Sequence, residues 1–131
     1  MQQLMQRLLV DKYFSLAAAF LCTVAIIFLS LKSPSKDSEL PFFEGQDKIY
    51  HFISYFLLTI VYFLMYKNYF KTKFSLIKAG VSVIMLGTIL EFIQPLSFFN
   101  RDFDVFDLIA NFIGVIFAII TIKIFIRIPS E

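Results

Sequence analysis

The chain has 131 residues, a formal net charge of +2, 59% hydrophobic and 18% aromatic residues, with 18 Phe and no Trp. Soluble chains average about 45–50% apolar residues, so a soluble fold of this size is excluded, and lipid is the natural solvent. The length allows one domain, and the basic residues form no stripe of the kind that binds nucleic acid.

Residues 1–12 place Leu4, Met5, Leu8 and Leu9 among glutamines and Arg7, a spacing that predicts a short interfacial helix. The first apolar run covers 13–31. It exceeds the usual 7–15 residues of a signal peptide core, and no small-residue cleavage site follows, so it reads as a retained span. Cys22, the only cysteine, lies inside it. A lone thiol there makes no internal disulfide and no thiolate metal site, and it behaves as a small hydrophobe. Residues 33–46 hold Pro34, Pro41 and Gly45 among charges and serines, the composition of a loop. Three further apolar runs cover 49–66, 76–93 and 108–126. At about 1.5 Å per residue each run reaches roughly 27–28 Å, close to the hydrocarbon thickness of a bilayer. Pro95 ends the third run, residues 96–101 form an aromatic connector, and Pro129 closes the fourth helix. The expected fold is all-α: one domain over 1–131, a bundle of four transmembrane helices.

Basic residues set the orientation. With the N-terminus inside, eight basic residues face the cytoplasm: Arg7, Lys12, Lys67, Lys71, Lys73, Lys78, Lys123 and Arg127. Only four, Lys32, Lys36, Lys48 and Arg101, face out. The outer loops instead collect acids, Asp37, Glu39, Glu44 and Asp47 in one and Asp102, Asp104 and Asp107 in the other. Both termini are therefore expected in the cytoplasm. In a bacterium this is a multi-pass protein of the inner membrane.

Residues three and four apart share a helix face. Lys48, His51 and Tyr55 form one row; Gly87, Glu91 and Gln94 form a second; Asp104, Asp107, Asn111, Gly114 and Ala118 form a third. The small residues of the third row let helix backbones approach closely. A charge turned to lipid costs on the order of 3 kcal/mol on insertion scales, whereas charges turned to one another can pair. One polar pocket is expected at the outer end, ringed by spans two, three and four. Phe42, Phe43, Phe98, Phe99, Phe103 and Phe106 gather near it and read as lipid anchors or as an acyl-chain entry.

In order and topology, Asp47-Lys48-x-x-His51, Tyr55, Glu91-x-x-Gln94, Arg101, Asp107 and Asn111-x-x-Gly114 resemble the signature of the VanZ-like membrane proteins. The resemblance covers residues 46–118. Ala118 stands where a second glycine often follows, and Asp104 adds a charge at a position often neutral. The family takes its name from a protein associated with teicoplanin resistance, and its fold has been related to enzymes that exchange or hydrolyse lipid head groups at phosphate linkages. The resemblance implies a membrane lipid or a lipid-linked cell-wall precursor as the partner.

For such chemistry His51 is the candidate base or nucleophile, its unperturbed pKa lying near neutrality, and Glu91 or Asp107 would orient its ring. Lys48 and Arg101 would hold a phosphate, Arg101 through two parallel bonds. Tyr55, Gln94 and Asn111 would position the substrate, with Asp47, Asp104 and Gly114 in support. No cofactor is required. His51, Glu91, Asp104 and Asp107 offer one nitrogen and several oxygens, a set that suits Mg²⁺ or Mn²⁺ better than a closed zinc site. Two other functions use the same residues: a binding protein that shields or senses a cell-envelope lipid or a glycopeptide antibiotic, and a small transporter or structural subunit. Transport is disfavoured because Val61, Phe63, Leu64, Ile116, Ile119 and Ile120 leave no polar track across the inner half. A purely structural role would reduce Glu91–Arg101 and Lys48–Asp107 to ion pairs between helix ends, with His51 and Asn111 as interhelical hydrogen-bonders.

Overall fold

A computed structural model describes residues 11–32, 45–96 and 102–125. Arg101, the 33–44 loop, Phe98, Phe99, Pro129 and the interfacial segment up to residue 10 lie outside the described residues. Four helices follow in order: α1 (Lys12–Leu31), α2 (Gln46–Leu64), α3 (Ser75–Ile93) and α4 (Val105–Phe125). No strand occurs among the described residues. All four helices are long and apolar enough to cross a membrane.

Two helices start a turn before the apolar runs that predict them. α2 begins at Gln46 and α4 at Val105, because a polar turn at a helix N-terminus is favourable when it carries acids. Asp47 and Asp107 sit in those first turns, where the positive end of the helix dipole stabilises carboxylates. Asp104 Oδ1 also accepts the Phe106 N–H at 2.8 Å, satisfying a backbone donor that a helix start leaves open. Gly45, at φ +85°, turns the chain into α2 in the left-handed region. At its other end α2 passes into a π-helical turn, Met65–Tyr69. Asp11 caps α1 by accepting the Phe14 N–H at 2.7 Å.

The helices alternate in direction. Asn68, in the π-helical turn, donates to Ser15 Oγ near the start of α1 at 3.0 Å, and Ile122 of α4 packs with Phe63 and Ala79. The start of α1, the lysine-bearing 67–78 connection and the end of α4 therefore share one end of the bundle. The starts of α2 and α4 share the other.

α4 packs most extensively against α2. Gly114 makes this approach close: a Cβ there would lie 2.5 Å from the Phe52 carbonyl oxygen. Buried Tyr55, Leu58, Val83, Leu90 and Val115 form the core with Ile26 of α1. The outward faces are apolar too, with Phe20, Phe28, Phe92 and Phe106 about two-thirds exposed. Water would not tolerate so much contiguous apolar surface, and acyl chains would.

Candidate functional site

The α2–α4 seam carries the charges at the end where both helices begin. Lys48, in the first turn of α2, extends its ammonium into three carboxylates: Asp104 at 2.5 Å, Asp47 at 2.6 Å and Asp107 at 3.0 Å. Asp107 is nearly buried while Asp47 is half exposed. The Lys48 ammonium and the Phe106 N–H beside Asp104 hold its carboxyl below the usual carboxylate range. Lys48 is thus engaged within the protein, at the centre of an ion-pair network.

One turn further along α2, His51 lies between two acids from two other helices. Its Nδ1 is 2.9 Å from Asn111 Oδ1 and 3.7 Å from Glu91 Oε1, and its Nε2 is 3.5 Å from Asp107 Oδ2. Glu91 is 1% exposed. A carboxylate so deep is tolerated only where other polar groups replace water. Three helices each supply part of this replacement: His51 from α2, Glu91 from α3, and Asp107 with Asn111 from α4. The 3-4 spacing of Asp107, Asn111 and Gly114 puts two polar groups above a glycine on one face, so the backbone contact at Gly114 holds the polar groups opposite His51.

Tyr55 lies a turn beyond His51, its ring parallel to the imidazole at 6.3 Å between centroids. It is 1% exposed, and its hydroxyl has no hydrogen-bond partner among the described residues. Gly87 makes room for it: a Cβ on Gly87 would lie 2.5 Å from the Tyr55 ring.

The pocket differs from the one expected in which helices line it. A cleft of about 430 Å³ opens between α1 and α2, walled by Ile26, Leu29 and Ser30 on one side and by Asp47, Tyr50, His51, Ser54 and Tyr55 on the other. The first helix takes part through Gln94, an expected substrate contact, which donates its amide to the Ser30 carbonyl at 3.2 Å. That bond draws the end of α1 against α3. Ser30, Tyr50 and Ser54 were not among the expected site residues. A signal existed for α1: Ser15, Ala19, Ile26 and Ser30 are its buried residues, and their 4-7-4 spacing marks one inward face.

The structure brings together Asp47, Lys48, His51, Tyr55, Glu91, Asp104, Asp107 and Asn111, with Gly114 beneath them. It directs Gln94 toward α1. Two triads of metal-ligating type result among the described residues, His51–Glu91–Asp107 and Asp47–Asp104–Asp107, each with ligand atoms within 4.8 Å of one another. The Lys48 ammonium already occupies the second. No family model, curated protein or solved structure matches this chain.

Proposed function

We propose that the protein acts on the polar head group of a membrane lipid or a lipid-linked cell-wall precursor, at the outer leaflet of a bacterial inner membrane, with both termini in the cytoplasm. The order of its polar motifs supports a place among the VanZ-like proteins. One observation carries the reading: a cleft of about 430 Å³ presents Ile26 and Leu29 on one wall and, on the other, His51, an imidazole bracketed by two buried acids. An acyl or isoprenyl chain fits against Ile26 and Leu29, and its head group then meets Asp47, His51 and Tyr55. In that position His51 transfers protons, with Asp107 orienting its Nε2 side. Arg101 belongs to this reading as a phosphate holder by its motif position.

Lys48 favours a second reading. Its ammonium is held by three carboxylates, so the charge left for an anionic head group is smaller than its sequence position suggests. A protein that binds a head group or a glycopeptide antibiotic without turning it over needs only the cleft and its polar rim. Comparison of lipid and precursor profiles between cells with the protein, without it, and with His51→Ala separates the two. Catalysis predicts a profile change that His51→Ala cancels while the variant remains inserted. A profile identical in all three strains refutes it.

A further inference from the structure

We propose that His51 Nδ1, Glu91 Oε1 and Asn111 Oδ1 bind a divalent cation of the Mn²⁺ type, with Asp107 holding the far side of the imidazole. The site goes beyond the head-group reading and does not depend on it; with the ion bound, His51 would serve that reading as a ligand rather than as the group that transfers protons.

Two distances around Nδ1 are compatible with a coordination shell. Nδ1 lies 2.9 Å from the Asn111 amide oxygen and 3.7 Å from the Glu91 oxygen. Neighbouring ligands of a six-coordinate ion with bonds of about 2.1 Å stand roughly 3 Å apart, so Glu91 needs to close by only a fraction of an ångström. The opposite nitrogen supplies a second argument. Nε2 faces Asp107 Oδ2 at 3.5 Å, and Asp107 is itself held by Lys48 at 3.0 Å. A histidine that binds a metal characteristically gives its other N–H to a carboxylate, which fixes the tautomer and raises the basicity of the ligating nitrogen. Lys48–Asp107–His51 forms such a chain; in the metal-free protein Nδ1–H donates to Asn111 Oδ1, and a cation would displace that proton as the Nε2–H turns to Asp107.

An independent observation points to a further ligand there. The Tyr55 hydroxyl is buried beneath the imidazole and has no partner among the described residues. It lies against Gly87, one turn from Glu91 on the same face of α3. A buried hydroxyl without a partner is costly, and water on a bound ion would satisfy it. The ligand chemistry selects the ion. One imidazole, one carboxylate and one amide oxygen suit Mn²⁺ better than Ca²⁺, which favours oxygen alone, or structural Zn²⁺, which favours a closed tetrahedron of nitrogen and sulfur. The neighbouring triad Asp47–Asp104–Asp107 is a different case, since an ammonium already neutralises it.

The test is titration of the purified, chelator-stripped full chain in detergent with Mn²⁺, followed by electron paramagnetic resonance. One Mn²⁺ per chain is expected, with hyperfine coupling to an imidazole ¹⁴N. Glu91→Gln should weaken binding at least tenfold, and His51→Ala should remove the nitrogen coupling. Asp107→Asn should weaken binding about 10–100-fold while the coupling persists, as loss of an outer-shell carboxylate does. Asp47→Asn, which removes one of the three partners of Lys48, should weaken binding less than Asp107→Asn. If Glu91→Gln fails to fold, Asn111→Ala carries the same expectation of at least a tenfold loss. The proposal is overturned if no stoichiometric Mn²⁺ couples to nitrogen, or if Asp47→Asn abolishes binding that Glu91→Gln and Asn111→Ala spare. Either result leaves the head-group reading standing, because lipid profiles test that reading without reference to metal.

Discussion

The two ends of the bundle solve the same problem with different chemistry. At the lysine-rich end the helices are tied by neutral groups: Tyr66 to Ser82 at 2.8 Å, Asn68 to Ser15 at 3.0 Å, and, further in, Thr23 to Tyr62 at 2.9 Å. At the opposite end three helices contribute Lys48, His51, Glu91, Asp104 and Asp107 to one cluster. Hydroxyls and amides are sufficient to hold helices together in lipid. The cluster of ionisable groups therefore exceeds what packing requires, and intramembrane ionisable residues are retained mainly where they do something. This contrast, more than any single distance, supports a functional reading of the His51 end.

Glycines offer the sharpest way to break the comparison. At the charged end, a Cβ on Gly114 would meet backbone, the Phe52 carbonyl oxygen at 2.5 Å and the Phe56 nitrogen at 3.1 Å. Backbone in a helix cannot yield locally, so α2 must move away from α4 and carry His51 with it. At the lysine-rich end, a Cβ on Gly80 would meet the tip of the Ile119 side chain at 3.1 Å, which can change rotamer. Gly114→Ala should lower stability by about 1–3 kcal/mol, the usual cost of overpacking. Gly80→Ala should be near neutral, since the better helix propensity of alanine, about 1 kcal/mol, offsets a small adjustment. Thermal denaturation of both variants in one detergent reads the difference, and equal losses would show that the two seams are equally tolerant.

The start of α4 provides a smaller effect confined to the charged end. Asp104 has two roles: it caps the helix through Phe106 and it pairs with Lys48. Asparagine caps about as well as aspartate but carries no charge. Asp104→Ala should cost about 1 kcal/mol through the lost cap, and Asp104→Asn should cost less, because the pair is partly exposed and Lys48 keeps Asp47 and Asp107. Acid should reproduce the charge component alone. The carboxyl of Asp104 is held below its ordinary value, so its pairing contributes fully above the ordinary carboxylate range and is lost as pH falls through its lower folded value. Stability curves of wild type and Asp104→Asn should run parallel near neutrality and converge in strong acid. Curves parallel to the lowest pH would show that the pair contributes nothing.

Much of this was legible in the sequence because lipid makes polar residues conspicuous. Four apolar runs gave the four helices, and the rows Lys48–His51–Tyr55 and Asp104–Asp107–Asn111–Gly114 are found facing one another. The hydropathy boundaries ran short at Gln46 and Val105, since hydropathy does not register that acids stabilise a helix start. The position of α1 was not legible in the same way. It carries no charge in its interior, and its inward face is written mostly in small residues, Ser15, Ala19 and Ser30, with Ile26 as the one large side chain. The bond from Gln94 to Ser30 joins two spans whose separation in sequence says nothing about their proximity. The cleft between α1 and α2 follows from that contact.

The smallest predicted effect tests the neutral end on its own terms. Tyr62 and Thr23 share one hydrogen bond between α2 and α1 at 2.9 Å. The threonine hydroxyl also bonds to the Ala19 carbonyl at 2.7 Å within its own helix. Tyr62→Phe removes the interhelical bond and leaves the threonine satisfied, so no buried polar group is orphaned. Interhelical hydrogen bonds in membrane proteins average about 0.6 kcal/mol, and a loss of that order is expected from denaturation in mixed micelles. Thr23→Val, which also removes the hydroxyl, should then add little when combined with Tyr62→Phe. A double-mutant coupling near zero would mean that α1 is held by the Asn68–Ser15 and Gln94–Ser30 bonds and by packing. In that case the cleft wall formed by Ile26 and Leu29 would depend on a contact made at the His51 end, and the two ends of the bundle would be mechanically joined through α1.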